Sequence, residues 1–318
     1  MSGSALPSPS ASQAYFTLST LEAGQIHLPE RLYVADADQT IVRRCPTLSF
    51  FLRHSKTGKL VVFDLGLRKD LKIAPSSMQW VRESGVILEV PQDVAESLQN
   101  GGVQPEDIDY VICSSCLFRS QFIANMLISY FFVVSHIHFD HTGDATPFTQ
   151  AKFLLGAASE PLVKASFPAN PDSSYLEDTV PLDRTEFLNP TNWVPLGPFP
   201  RTLDYFGDGS LYLVDAPGHI LGHLNALVRV GTGTNDWVLL AGDTAHDLRL
   251  LDGVCQICVY HDGSSAHVDR TVAEEHIKRV RALRDEYGVE VVLAHAYRWD
   301  KSGRIHTFRP ASEPEADL

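Results

Sequence analysis

The sequence predicts an α/β fold in which strands dominate both halves and a helix follows each set of strands. Three observations carry this expectation. Short apolar runs recur between turn residues, residues 271–287 repeat apolar positions at helical spacing, and no shift in composition divides the 318 residues into separate units.

Taken in order, residues 1–13 (MSGSALPSPSASQ) are rich in Ser, Pro and Ala and read as a disordered tail. They lack the basic start and apolar stretch of a secretory signal. Residues 47–53 (TLSFFLR) and 59–64 (KLVVFD) are apolar runs joined by Ser-Lys-Thr-Gly, a hairpin pattern, and Asp64-Leu65-Gly66 closes the second run with a turn. Residues 95–98, then Gly101-Gly102, then Pro105-Glu106-Asp107 read as helix, stop and new start, and a strand begins at 108–112. Residues 211–214, 224–230, 237–241 and 289–294 are strand-like. Between the last two, Val272, His276, Val280, Leu283 and Tyr287 share one helical face. Thr271 with Glu274 fits a capping box there, and Gly288 is a natural stop. Residues 14–318 therefore read as a single domain without internal repeats.

A hydrophobic content of 44% and a charged content of 20% suit a globular protein with a sizeable core. The net charge of −13 disfavours nucleic acid and anionic membranes as partners, because both are bound through Lys and Arg. No run of 18 apolar residues calls for a transmembrane helix. Five cysteines form two CxxC pairs (Cys113 with Cys116, Cys255 with Cys258) about 140 residues apart, whereas zinc-ribbon pairs sit within roughly 20. The odd count without a signal peptide points to reduced thiols and a cytoplasmic location.

The densest chemistry is His136-Ile137-His138-Phe139-Asp140-His141, four candidate metal ligands in six residues. Neutral imidazoles suit zinc, and a carboxylate among them suits a second ion or a bridge. Three more candidates stand where strand patterns end: His219 in Asp-Ala-Pro-Gly-His, Asp243 in Ala-Gly-Asp-Thr, and His295 in Leu-Ala-His. Taken singly, a His in a Pro-Gly turn or an Asp in a Gly-Asp-Thr turn is an ordinary loop residue. A strand end is nonetheless where a rigid scaffold can aim side chains at one point.

The ordered set HIHFDH, PGH, GD and AH resembles the metallo-β-lactamase superfamily, over most of the chain from about Thr47 to His295. The resemblance implies a four-layer αβ/βα sandwich of two facing sheets with helices outside and metals at one edge. It implies that His136, His138 and His219 hold one zinc ion, that Asp140, His141 and His295 hold a second, and that Asp243 bridges them. A hydroxide held between ions roughly 3.5–4 Å apart would then be the nucleophile. Asp140 is expected to pass a proton to the leaving group. His223 is expected to serve the following strand, and Asp64 to orient a ligand or its turn.

Asp at position 243 looks like the lactonase, glyoxalase II and phosphodiesterase branches rather than the enzymes that destroy β-lactams. Only 23 residues follow His295, too few for the C-terminal glutathione-binding helices of glyoxalase II. HIHFDH with Pro-Gly-His-x-x-Gly-His looks most like acyl-homoserine lactonases, the quorum-quenching enzymes. These carry a Tyr three residues after the bridging Asp, where this chain has His246, a candidate catalytic hydrogen-bond donor or proton shuttle. The expected function is a dinuclear zinc hydrolase opening a lactone or related small-molecule ester. The alternatives are an acyl thioesterase of secondary metabolism and an inactive relative. The sequence does not set the oligomeric state.

One segment departs from the family pattern. Residues 113–133 (CSSCLFRSQFIANMLISYFFV) are apolar, lack acidic residues and interrupt a strand that would otherwise run from DIDYVI into VSHIHFDH. These roughly 21 residues, about 63 nucleotides, keep the reading frame and can encode a branch-point-like CTAAC at Ala124-Asn125. A translated intron is one reading, and a helical lid over residues 122–132 is the other.

Overall fold

The computed structural model describes residues 5–115 and 139–296, together with the backbone of His306 and Thr307. Its centre is a pair of facing sheets. One has seven strands in the order His306–Thr307, Phe16–Leu21, Ser49–His54, Leu60–Phe63, Tyr110–Ile112, Lys152–Gly156 and Thr185–Leu188. The other has six: Val194–Leu196, Phe199–Asp204, Leu211–Asp215, Leu224–Arg229, Trp237–Leu240 and Glu290–Val292. A three-stranded sheet of Val42–Pro46, Gln25–Pro29 and Ile87–Glu89 stands beside them. The expected hairpin forms, with Phe50 opposite Phe63 and Leu52 opposite Val61.

Side chains on a strand alternate between its faces, so one strand feeds two layers. Val61 and Phe63 join Phe16, Phe50, Ile112 and Leu154 against Leu211, Leu213, Ala226, Val238 and Leu240 in the space between the sheets. Val62, Val111 and Phe153 turn the other way, onto Leu98 of the Val94–Asn100 helix. Leu227, Trp237 and Leu239 likewise face Ile277, Val280 and Leu283 of the Arg270–Tyr287 helix. The result is the four-layer αβ/βα sandwich. Among the described residues no helix is long and apolar enough to cross a membrane.

Two local expectations change. The long helix is capped two residues earlier than Thr271: Asp269 is its N-cap and accepts from the Val272 amide at 3.0 Å. Thr271 and Glu274 fit the capping pattern but lie inside the helix. Its end is as expected, with Gly288 left-handed at φ 66°. Residues 5–13, expected within a tail, make contacts with the body. Arg229 donates to the Pro7 carbonyl at 2.6 Å, and Gln13 donates to the Asp208 carbonyl at 2.9 Å. Arg229 is itself buried, with its guanidinium 4.0 Å from the Trp237 ring, where cation–π attraction offsets part of its burial cost.

Beneath the long helix, His276 Nε2 meets Asn225 Oδ1 at 2.8 Å, and Asn225 Nδ2 donates to the Ala241 carbonyl. Burial, with smaller contributions from His223 and Arg279, pushes the His276 imidazole down to about 3. The unfolded chain takes up this proton near pH 6.5, whereas the folded chain resists until about pH 3. The contribution of His276 to stability is therefore complete above pH 6.5 and is lost as pH falls between those values. Thermal melts across this range should show stability falling by at most about 1.4 kcal/mol per pH unit from this group. His276→Gln should flatten that acid limb.

Candidate metal centre

Three described candidate ligands and Asp64 stand within four residues of a strand end. Asp64 follows Leu60–Phe63, His219 lies four residues beyond Leu211–Asp215, Asp243 follows Trp237–Leu240, and His295 follows Glu290–Val292. Asp140 and His141 sit in the short Phe139–Thr142 helix. All are buried, with Asp243 fully inaccessible. His136 and His138 lie outside the described residues.

The turns are built for close approach. Gly218 has φ 115°, and a Cβ there would strike the Ala273 backbone at the start of the long helix. Gly143 has φ 46°, and a Cβ would strike the Leu65 carbonyl. Asp64 holds a left-handed φ of 60°, an uncommon state for a residue with a side chain. It is retained because the Asp64 amide donates to Ile112 O at 2.9 Å and the Leu65 amide to His141 O at 2.8 Å.

The side chains meet at Asp243. Its Oδ2 lies 3.1 Å from His141 Nε2, 3.2 Å from His219 Nε2 and 3.7 Å from His246 Nε2, and its Oδ1 lies 3.3 Å from His295 Nε2. Asp140 Oδ2 is 3.2 Å from His295 Nε2. Asp140, His141 and His295, expected together on one ion, form one compact group of ligand atoms. His219 groups with His246 and His267.

Hydrogen bonds set the tautomers. His295 Nδ1 donates to the Pro46 carbonyl at 3.0 Å, and a carbonyl only accepts, so the lone pair of His295 lies on Nε2. Asp64 Oδ2 accepts from His141 Nδ1 at 2.8 Å, leaving His141 Nε2 toward Asp243. Asp64 thus orients His141, a candidate ligand. His223 closes the turn before the Leu224–Arg229 strand, its Nδ1 donating to the Ala216 carbonyl at 3.1 Å.

Burial alone would lower the His141 and His295 imidazoles. The carboxylates of Asp243, Asp64 and Asp140 outweigh it at His141 and hold it well above the usual histidine value, and Asp243 and Asp140 raise His295. Burial would raise Asp140, but His141 and His295 hold its carboxyl at about 2. The buried Asp140 carboxylate thus stays ionised and demands cationic company. Among the described residues Asp140 Oδ1 has no hydrogen-bond partner. An orphaned buried carboxylate oxygen beside outward-aimed imidazole lone pairs fits a divalent cation.

Two residues at the centre were not assigned by the sequence. His267 carries no motif, only Ser-Ala-His before a helix. Ser114 was placed in the interrupting segment, yet its amide and Oγ both donate to Asp64 at 2.6 Å, and its carbonyl accepts from Leu224 at 2.9 Å. Cys113 extends the ladder through its amide to Leu154 O at 3.1 Å. Cys113–Ser115 therefore belong to the fold, because the strand end must satisfy Asp64. Residues 116–133, including both readings of the segment, lie outside the described residues. Replacing Asp64 by Asn keeps the shape but removes the charge that fixes His141. Zinc affinity measured by chelator competition should fall by about 10-fold or more.

No family model matches the chain. It is 26% identical over 292 residues to the Cytochrome P450 monooxygenase mpaDE' of Penicillium brevicompactum, covering 84% of this chain but only 31% of that protein. It is 32% identical over 202 residues to the Gamma-lactamase MBL2 of Gibberella moniliformis, covering 58% of this chain and 70% of that protein. Two solved structures share the fold. B. thuringiensis AiiA, with N-decanoyl-L-homoserine bound at its active site, has a TM-score of 0.61 at 15% identity, over 90% of this chain and 94% of that one. AidC, a dizinc quorum-quenching lactonase, has a TM-score of 0.56 at 13% identity, over 93% and 92%. With the sandwich, the strand-end candidate ligands and these relatives in hand, the chain belongs to the metallo-β-lactamase superfamily.

Proposed function

We propose that this chain is a dinuclear zinc hydrolase that opens a lactone or a related small-molecule ester. The observation that carries the reading is the buried Asp243 carboxylate with His141, His219 and His295 ranged round it. His136 and His138 with His219 would hold one ion, Asp140 with His141 and His295 the other, and Asp243 both. When bound, two zinc ions lower the pKa of water toward neutrality and polarise an acyl carbonyl.

The chain's own side chains do the rest. Asp64 and the Pro46 carbonyl hold His141 and His295 in the ligating tautomer. His246, buried with its Nε2 3.7 Å from Asp243, would donate a hydrogen bond to the acyl oxygen, the task the lactonase tyrosine would perform. Asp140 Oδ1 is the oxygen available to carry a proton to the leaving alcohol. Opening a lactone and opening a γ-lactam both break a ring acyl bond, so the name of the gamma-lactamase relative supports a cyclic acyl substrate.

Because Ser114 is hydrogen-bonded into the centre, the interrupting stretch narrows to residues 116–133. Spliced transcripts should lack this stretch; abundant messages that retain it would remove the intron reading.

The decisive assay is a panel of lactones, γ-lactams, acyl thioesters and β-lactams, offered to zinc-loaded full chain and to the form lacking 116–133. Lactone turnover is expected, falling by about 10³-fold or more in Asp243→Asn. Turnover of thioesters alone would replace the substrate class. Less than one zinc per chain from protein made with ample zinc would sink the enzyme reading.

A further inference from the structure

The three ligand imidazoles that the structure describes each have a partner on the nitrogen turned away from Asp243. For His141 it is the Asp64 carboxylate, and for His295 the Pro46 carbonyl. For His219 it is another imidazole: its Nδ1 lies 3.2 Å from Nδ1 of His267. We propose that His267 is a positioning residue, accepting the Nδ1–H of His219 and so fixing the ring with Nε2 toward Asp243. The proposal rests on the metal-site reading above.

Proton accounting sets the direction of this bond. Two facing nitrogens at 3.2 Å need one proton between them. His219 can present a lone pair at Nε2, 3.2 Å from Asp243 Oδ2, only if its own proton is on Nδ1. His267 Nδ1 is then the acceptor, and the His267 proton sits on Nε2. Both rings remain neutral, as zinc ligation by His219 requires.

The local chain holds His267 to this task. It is buried, and Ser265 Oγ accepts from its amide at 3.0 Å while donating to its carbonyl at 2.8 Å. The next two amides reach back to the turn that carries His219: Val268 N donates to His219 O at 2.8 Å, and Asp269 N to Gly218 O at 2.9 Å. Asp269 also caps the long helix, so the His219 turn, the His267 loop and the helix start form one stitched unit. The rings meet edge to face with centroids 4.9 Å apart.

The partners differ in charge. Asp64 is a carboxylate and raises the basicity of His141, whereas a neutral imidazole does so weakly for His219.

The test uses the full chain with His267→Leu and His267→Gln, the latter keeping an accepting oxygen. In chelator titrations the Leu variant should lose about 10- to 100-fold in affinity for one of the two zinc ions, with the other unchanged, and Gln should restore most of the loss. In the metal-free chain, ¹⁵N shifts of His219 should report the Nδ1-protonated tautomer in wild type and Gln, and a mixture in Leu. Wild-type affinity for both ions in the Leu variant, or an unchanged His219 tautomer there, overturns the proposal. Equal loss in Leu and Gln variants of unchanged melting temperature does the same. Failure of the wild-type chain to bind zinc is a separate outcome, which removes the metal reading, while the tautomer measurement still judges the His219–His267 bond.

Discussion

Imidazoles from two different strand-end segments and one short helix meet a single carboxylate, and the rest of the molecule is arranged so that they can. Asp243 is wholly buried and lies within 3.3 Å of His141, His219 and His295. Two further carboxylates, Asp64 and Asp140, are buried beside it. Placing three such groups out of water costs several kcal/mol each unless cations and hydrogen bonds compensate. The raised imidazoles of His141 and His295 are the protein's own partial answer, and divalent ions would be a fuller one.

The sandwich makes this concentration of charge tolerable. Its facing sheets are packed with Phe, Leu and Val, which fixes the strands and therefore their ends. Close turns do the final placement. Gly218 lets the His219 turn abut the long helix, and Gly143 lets the His141 segment lie against Leu65. The hydrogen bonds of Asp64 to Ser114 and His141 tie two strand ends to the ligand helix.

Much of this was legible in the sequence, because the ligands are marked by local context. Asp243 and His295 stand immediately after apolar strand runs, and Asp140 and His141 lie in a run of four candidate ligands within six residues. The hairpin, the central strands of the second sheet and the Gly288 stop were written in periodicity and turn chemistry. What escaped depends on contacts between distant residues. His267 matters through a ring 48 positions away and has no signature of its own. Ser114 was hidden by the unusual segment beside it, and only its bonds to Asp64 restore it to the fold. Asp269 caps the helix where Thr271 fitted the pattern equally well, because its amide is fixed by Gly218. The contact of Pro7 with Arg229 likewise has no local cue.

The central claim is that Asp243 is shared by two metal positions. Crystals of the zinc-loaded chain, measured on either side of the zinc absorption edge, address it directly. The expected result is two anomalous peaks, both beside the Asp243 carboxylate, one also against Asp140, His141 and His295 and the other against His219. A single peak, or zinc bound away from Asp243, would contradict it.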